Sequence, residues 1–143
     1  MPERGDIEHW SEIELLTGTI YGEASNQPTE GKMGVGLTVR TRATHPGWWG
    51  RNWRQVMSAP HQFCCWEDHN RQRIITACYK DADTWLECKS LAEDIYVGRV
   101  MDKIGAPTHY CRSDVHPAWR TKLKFLCRIG DHVFYHDPAI DRS

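Results

Sequence analysis

The stretch IYGEASNQPTEGKMGVGLTVRTRA, residues 20–43, decides the fold because it holds the end of one predicted helix and the whole of the next. Upstream of it, apolar side chains recur at helical spacing from Ile7 to Ala24, which predicts a helix with one buried face and Asp6 as its N-cap. Pro28 disfavours helical geometry at the residue before it, so this helix is predicted to end near Ala24. A second helix is predicted over Thr29–Thr41, where glycines weaken the helical propensity and favour a buried, closely packed position.

The rest of the chain adds further helical segments and one β-hairpin. Helical spacing of apolar residues returns over Asp81–Val100, where Gly98 marks the predicted end. Two strand-like runs, residues 123–129 and 132–136, are joined by a Gly-Asp pair, which predicts a hairpin. The remaining assignments are a loop over His45–Gly50, a short helix over Trp53–Ser58 and no assignment for residues 61–66. The sequence therefore predicts one domain over residues 1–143, mainly α with a small β-sheet or hairpin (α+β).

The charge balance and the apolar pattern argue against several kinds of partner. The 143 residues include 18 basic and 19 acidic side chains, so no net field attracts nucleic acid or an anionic membrane. The N-terminal stretch lacks the features of a signal peptide, and no apolar run has membrane length. We therefore expect a cytoplasmic product without stable membrane insertion. The six cysteines match no disulfide framework, and we expect them to be buried free thiols.

Aromatic residues are frequent for a chain of this size. Seven tryptophans and five tyrosines exceed what a small core usually takes. Flat aromatic faces suit stacking on sugar rings, so part of this set is expected at a binding surface. Composition does not separate the aromatic residues of the core from those that bind a ligand, and both interpretations stay open.

Glu23 occupies a position that suits a general acid. Cleavage of a glycosidic bond needs a carboxylic acid that is still protonated near neutral pH and can pass its proton to the departing sugar oxygen. In the last turn of the predicted helix, Glu23 faces the negative end of the helix dipole, which disfavours the ionised form. Partial burial against Tyr21 or a nearby tryptophan would act in the same direction. Position by itself does not separate this role from that of a solvated surface glutamate.

Three segments together resemble the cell-wall hydrolase family typified by the spore cortex-lytic enzyme SleB and by related phage endolysins. They are the run over residues 20–43, the QFCCW segment at residues 62–66 and the IGDHVFYH segment at residues 129–136. As in that family, Gly-Glu-Ala is followed by a short polar stretch, by Glu-Gly and by a helix rich in small residues. The resemblance covers residues 15–135.

The resemblance implies a lysozyme-like fold, with bacterial peptidoglycan as the substrate. It implies that Glu23 is the catalytic acid and base, at the end of the first long helix. It also implies a substrate groove formed by aromatic and polar side chains, for which the candidates are Tyr21, Gln62, Phe63, Trp66, His109, Tyr110 and Trp119. No cofactor and no metal ion are expected.

The sequence leaves open whether a second catalytic carboxylate exists. A hydrolase of either stereochemistry normally needs one, whereas a lytic transglycosylase uses the 6-hydroxyl of muramic acid as its nucleophile. The nearest alternatives to Glu23 are Glu30, Glu67 and Asp68, which we expect to be surface residues. The reaction is therefore predicted to be either muramidase or lytic transglycosylase cleavage of the MurNAc-GlcNAc bond, and the SleB-type relatives favour the second route.

Two other functions fit parts of the sequence. The spacing of four residues would allow a zinc-dependent amidase or peptidase that cuts the peptide stems; these are His61, Cys64, Cys65 and His69. No HExxH motif accompanies them. The tryptophans would also serve a non-catalytic wall-binding module. Substitution of Glu23 by glutamine separates such a module from an enzyme, because only the enzyme loses its function.

The resemblance to phage endolysins, taken with the missing export signal, favours a role in the lysis of a phage-infected host. We expect a lysis enzyme that stays in the cytoplasm of the producing host until a separate pore-forming protein, a holin, releases it to the wall. We also expect the protein to be a monomer.

Overall fold

The computed structural model describes residues 4–59 and 62–142, and the side chains of residues 4–6, 64, 68, 69 and 142 lie outside this description. These ranges contain five α-helices: α1 Glu12–Ala24, α2 Thr29–Thr44, α3 Trp53–Ser58, α4 Asp68–Lys80 and α5 Ala82–Tyr96. They also contain three strands: β1 His109–Arg112, β2 Lys124–Ile129 and β3 His132–His136. Short 3₁₀ helices lie at Arg4–His9, Cys64–Trp66, Ala118–Thr121 and Pro138–Arg142. Within the described ranges, no helix has the length and apolar character that crossing a membrane requires.

Helix α1 begins at Glu12, so the predicted start at Ile7 was wrong. The Ser11 hydroxyl accepts a hydrogen bond from the backbone N–H of Glu14, and the Glu14 carboxylate accepts one from the backbone N–H of Ser11. This reciprocal capping box satisfies two backbone donors and fixes the first turn of the helix. The predicted cap, Asp6, lies instead in the preceding 3₁₀ helix. The predicted end of the helix at Ala24 is confirmed.

Helices α1, α2 and α5 pack against one another and form the helical part of the core. Fully buried aliphatic side chains fill the space between them, among them Leu16, Ile20, Leu37 and Ile95. Burial of one such side chain contributes about 1.5–3 kcal/mol to folding. The predicted α5 is confirmed, although it ends at Tyr96, and Gly98 follows with a positive φ of 82°.

The prediction of a buried, glycine-rich second helix is confirmed. Gly34 of α2 lies directly against the ring of Phe134 in β3, and a Cβ atom at Gly34 would be 2.4 Å from Cζ of that ring. Only a residue without a side chain allows the helix and the sheet to approach so closely. Helix α2 is therefore in contact with the sheet as well as with the other long helices.

The sheet is antiparallel, with the strand order β1-β3-β2. Its β2-β3 hairpin confirms the predicted one, whereas β1 and α4 were not predicted. Helix α4 begins with the polar run DHNRQR, and this run hides the helical periodicity of its buried residues Ile74 and Ile75. Strand β1 holds only four residues and forms by pairing with β3, whose paired residues are 20–26 positions away in the sequence.

Five cysteines have described side chains: Cys65, Cys78, Cys88, Cys111 and Cys127. Of these, the last four are free thiols. The expectation that they would be buried was wrong for most of them, because only Cys65 and Cys88 are buried. Burial raises the pKa of the Cys88 thiol to about 12, so this group is an inert part of the core.

Candidate active site

Glu23 lies in the last turn of α1, where two hydrogen bonds from distant parts of the chain hold its carboxylate. The Tyr110 hydroxyl in β1 donates to Oε1 at 2.5 Å. The backbone N–H of Cys65 donates to Oε2 at 3.3 Å. Both oxygens of Glu23 are therefore positioned at the junction between the helices and the sheet.

The residue before Glu23 explains how Cys65 reaches the carboxylate. A Cβ atom at Gly22 would lie 2.5 Å from Cβ of Cys65 and 2.8 Å from its Sγ, distances that real side chains do not tolerate. Glycine at this position therefore lets the Cys64–Trp66 segment pack directly on α1. The structure thus explains why glycine precedes Glu23: the small Gly22 lets the backbone N–H of Cys65 reach the Glu23 carboxylate.

Tyr110 is a stable hydrogen-bond donor to Glu23. Burial and then the neighbouring Glu23 carboxylate raise the pKa of the Tyr110 hydroxyl well above its usual range, so the group keeps its proton. The rings of His132 and Phe134 pack against the tyrosine ring, with centroid distances of 5.2 and 5.8 Å. These contacts restrict the ring and keep its hydroxyl directed at Glu23.

A cleft of about 450 Å³ opens beside Glu23. Its lining combines aromatic and polar side chains: Glu23, Arg42, Trp48, Gln62, Phe63, His109, Tyr110 and Trp119. Among the described residues of this lining, Glu23 is the only carboxylate. Trp48 is 67% exposed and offers a broad aromatic face to a ligand.

Arg42 of α2 places a positive charge in this cleft. Its Nε donates to the backbone carbonyl of Thr108 at 2.8 Å, and its Nη1 donates to Oε1 of Gln62 at 3.2 Å. Burial lowers the pKa of Arg42 to about 10, so the guanidinium remains charged at neutral pH. Three aromatic rings surround it with centroids 5.2–5.7 Å from Cζ, and they belong to Trp48, Trp49 and Phe63.

His109 is a neutral part of the same cleft. Burial in the first place and the charge of Arg42 in the second lower the pKa of His109 to about 4. Its Nδ1 lies 2.9 Å from the Thr108 hydroxyl, and its ring lies 4.9 Å from that of Trp119. The imidazole therefore supports the aromatic wall of the cleft without adding a charge at neutral pH.

Six of the predicted site residues lie together in the lining, namely Glu23, Gln62, Phe63, His109, Tyr110 and Trp119. Tyr21 and Trp66 do not belong to it. The Tyr21 hydroxyl donates to Asp81 at 2.9 Å, and the Trp66 indole N–H donates to the Thr19 hydroxyl at 2.8 Å. Both rings are more than 90% buried in the core, so the expectation that they line the substrate groove is corrected.

Sequence reasoning missed Arg42 and did not assign Trp48 to the catalytic groove. A signal for Arg42 was available, because it is a charged residue in a helix otherwise rich in small and apolar ones. Trp48 stands in the loop between α2 and α3, which the structure confirms as a loop with a tight turn at Gly47 and Gly50. For neither residue does its distance from Glu23 along the sequence predict that the two lie close together in the fold.

The alternative carboxylates lie apart from the cleft lining or outside the description. Glu30 lines a cavity beside Met33 and Ile104, and Glu67 lines another beside Arg71. The side chain of Asp68 lies outside the described residues. Nothing in the described lining therefore provides Glu23 with a carboxylate partner.

The residues of the zinc alternative are only partly described. His61 lies outside the described residues, as do the side chains of Cys64 and His69. The backbone N–H of Cys65 donates to Glu23. In the part of the chain that the structure describes, no three His, Cys, Asp or Glu side chains are grouped so that they could hold a metal ion.

The mainly helical domain and its small antiparallel sheet, with a glutamate at their junction, have a lysozyme-like fold. The sequence profile of the family described as Cell Wall Hydrolase matches residues 26–135, which is well over half of the chain. The chain belongs to this Cell Wall Hydrolase family and is a peptidoglycan-degrading enzyme. Glu23 lies just before the matched range.

Two solved structures share the fold. The catalytic domain of the germination-specific lytic transglycosylase SleB from Bacillus anthracis superposes with a TM-score of 0.66 at 20% identity, covering 89% of this chain and 97% of that one. The catalytic domain of the Bacillus cereus SleB protein gives a TM-score of 0.66 at 21% identity, covering 87% of this chain and 89% of that one. At this identity the likeness concerns the fold. Comparison with curated protein sequences gives no significant match.

Proposed function

We propose that this enzyme cleaves the MurNAc-GlcNAc bond of peptidoglycan as a lytic transglycosylase, with Glu23 as general acid and then general base. The observation that carries the proposal is the presence of one carboxylate, Glu23, among the described residues of the cleft lining. A retaining hydrolase places a second carboxyl group about 5–5.5 Å from the first, and an inverting one about 6.5–9.5 Å away. The B. anthracis SleB catalytic domain, which shares the fold, is a lytic transglycosylase, and this supports the same choice.

In the first step, protonated Glu23 donates its proton to the glycosidic oxygen, and the bond between that oxygen and the anomeric carbon of MurNAc breaks. The GlcNAc chain leaves with a free 4-hydroxyl group. Glu23 is then a carboxylate, which accepts hydrogen bonds from Tyr110 and from the Cys65 backbone. Hydrogen bonds to an ionised acceptor are stronger than those to a neutral one, so these two donors stabilise the state that the proton transfer produces.

In the second step, the 6-hydroxyl oxygen of the same MurNAc bonds to its anomeric carbon. The Glu23 carboxylate takes the proton of that hydroxyl and returns to its starting state. The product is a 1,6-anhydro-MurNAc end, and no water is consumed. One glutamate therefore suffices for both proton transfers.

The aromatic wall is suited to hold the glycan strand. The exposed face of Trp48 and the ring of Trp119 border the cleft that contains Glu23. Flat rings of this kind stack on the apolar faces of sugars, and they restrict the strand without adding charge near the acid. We assign these two residues to strand binding and Glu23 to the chemistry.

The proposed reaction is tested by measuring whether oxygen from water enters the product. The purified enzyme is incubated in H₂¹⁸O with peptide-free glycan strands, and the new MurNAc ends are weighed by mass spectrometry. We expect anhydro ends without ¹⁸O, because the ring closes on an internal hydroxyl. Reducing MurNAc ends that carry ¹⁸O would show hydrolysis, and a second carboxylate would then have to be sought outside the described lining.

The biological setting that we propose rests on the resemblance to phage endolysins. Residues 1–143 would act as one monomeric catalytic domain that stays inside the producing cell until a holin opens the membrane. Expression in a bacterial host with and without a holin tests this, since lysis is expected only when both proteins are made. Rapid lysis without the holin would contradict the proposed route. The oligomeric state is tested separately by sedimentation analysis, which is expected to give the mass of one chain.

A further inference from the structure

The guanidinium of Arg42 is a buried positive charge without an ionic partner in the described part of the chain. The residue is 6% exposed, and none of the ion pairs among the described residues includes it. Burial of an isolated charge is unfavourable unless other groups compensate for it. The surrounding aromatic rings and two carbonyl-type oxygens compensate in part.

Arg42 also has hydrogen-bonding capacity that its protein neighbours do not use. A guanidinium carries five N–H donors. In the described structure, one donor at Nε binds Thr108 and one at Nη1 binds Gln62. The two donors at Nη2 have no partner among the described residues. Because Arg42 forms part of the cleft lining, a ligand in the cleft is the natural partner for them.

The chemistry of the substrate indicates which group this partner is. Of the two alternating sugars, GlcNAc is neutral, whereas muramic acid carries a lactyl ether with a carboxyl group. That group is a carboxylate on peptide-free strands and a neutral amide where a stem peptide is attached. A planar guanidinium matches a carboxylate in shape and charge, and it also donates to an amide carbonyl.

We propose that Arg42 is a specificity-determining residue that binds the lactyl carboxyl group of muramic acid; this inference rests on the proposed function. The other polar side chains of the lining apart from Glu23, namely Gln62, His109 and Tyr110, are neutral at the working pH and do not distinguish a carboxylate from a hydroxyl by charge. Arg42 thereby determines which sugar of the glycan strand occupies each position in the cleft. It fixes the muramic acid next to Glu23, so that the sugar with the lactyl group is the one whose anomeric carbon reacts.

Binding to an inactive protein tests the inference. The Glu23→Gln protein is titrated by calorimetry with three tetrasaccharides: GlcNAc-MurNAc-GlcNAc-MurNAc with free lactyl carboxylates, the same compound with primary lactyl amides, and chitotetraose, which lacks the lactyl group. We expect the carboxylate compound to bind about tenfold more tightly than chitotetraose, with the amide in between. Equal affinities for all three would overturn the inference.

A fourth ligand separates two possible sources of the carboxylate. It carries stem peptides, so its lactyl group is an amide and its free carboxylates lie farther out. We expect it to bind no better than the simple amide. Binding tighter than that of the free lactyl carboxylate would place the recognised group on the peptide and would overturn the inference.

A matched pair of variants assigns the discrimination to one side chain. In the Glu23→Gln background, Arg42→Met is expected to lower the affinity for the carboxylate compound to that for chitotetraose. Arg40 on the same helix is the control, because it donates to the carbonyl of Val100 at 3.0 Å and does not line the cleft. Arg40→Met is expected to keep the discrimination, and loss of discrimination in both variants would contradict the assignment.

The two proposals fail separately. If Arg42→Met does not fold, as circular dichroism would reveal, equal affinities of the Glu23→Gln protein for the ligands would still overturn the inference. If the reaction yields reducing ends in place of anhydro ends, the proposed reaction is wrong, but the preference for the lactyl carboxylate can still be measured in the inactive protein.

Discussion

Replacement of Gly34 by alanine is predicted to loosen the contact between α2 and the sheet. A Cβ atom at this position would lie 2.4 Å from Cζ and 2.7 Å from Cε1 of Phe134, whereas ordinary contacts begin at 3.4 Å. The ring or the helix must therefore move by about 1 Å, the difference between 3.4 and 2.4 Å. Phe134 is fully buried, so its ring cannot turn out into solvent to relieve the contact.

The expected change in stability follows from two opposing effects. Overpacking of a core costs about 1–3 kcal/mol. Alanine in a helix is about 1 kcal/mol more favourable than glycine. Because the clash at Gly34 involves a rigid ring, we take the upper end of the cost, and we expect the free energy of unfolding to fall by about 2 kcal/mol. Activity should fall as well, since Phe134 packs against Tyr110, which holds Glu23.

Urea denaturation followed by circular dichroism measures this change, and a second glycine of α2 provides the control. At Gly31 a Cβ atom would meet Cβ of Gln27 at 3.3 Å, which requires only a small adjustment. Gly31→Ala is therefore expected to be as stable as the parent or up to about 1 kcal/mol more stable, because only a slight contact opposes the gain in helix propensity. If Gly34→Ala were as stable as Gly31→Ala, the described packing of α2 on Phe134 would be refuted.

Other substitutions test the cleft and the local structure. Trp48→Ala is expected to raise KM on glycan strands about 2- to 10-fold with little change in kcat, because an exposed stacking face is lost without damage to the core; unchanged KM in a steady-state assay would contradict its role. Ser11→Ala removes the hydroxyl that caps Glu14 and should lower the free energy of unfolding by about 1 kcal/mol in urea denaturation. Lowering the pH from about 6.5 to about 4 should reduce the free energy of unfolding of the parent, because His109 binds a proton in the unfolded chain but stays neutral when it is buried beside Arg42. His109→Gln should lose less stability over the same range. Identical pH profiles of stability for the variant and the parent would refute the argument.

The position of Glu23 was predictable because local rules decide it. Pro28 limits the first helix on its C-terminal side, so a glutamate shortly before it falls in the last turn. The partners of Glu23 were harder to predict. Tyr110 reaches it through the pairing of β1 with β3, and Cys65 reaches it through the small size of Gly22. The resemblance to SleB-type enzymes implies that Tyr110 belongs to the substrate groove, but it does not predict the hydrogen bond to Glu23. No sequence rule indicates the backbone of Cys65.

The misplacement of Tyr21 has a geometric explanation. Residues two apart on a helix are separated by about 200° around its axis, so Tyr21 and Glu23 lie on opposite faces. Tyr21 accordingly packs beside Trp85 in the core, and its hydroxyl binds Asp81. The groove position that the resemblance implies for Tyr21 is therefore incompatible with its place on the helix.

Helix α4 shows where sequence patterns are insufficient. Its residue Ile74 is buried because Gly18 and Gly22 of α1 leave room for the side chain to approach. That complementarity between two distant segments exists only in the folded protein. Arg42 is a comparable case, since its aromatic surroundings come from two separate loops that the sequence does not bring together.

The role of Glu23 is tested most directly by digestion of peptidoglycan sacculi with the parent protein and its Glu23→Gln variant. The amide can keep both contacts, because its oxygen can accept from the Cys65 N–H while its nitrogen donates to a rotated Tyr110 hydroxyl. Loss of activity would then reflect lost proton transfer and not a lost fold. We predict that mass spectrometry finds anhydro-muropeptides released by the parent and none released by the variant. Cut peptide stems, or equal release by both proteins, would contradict the account.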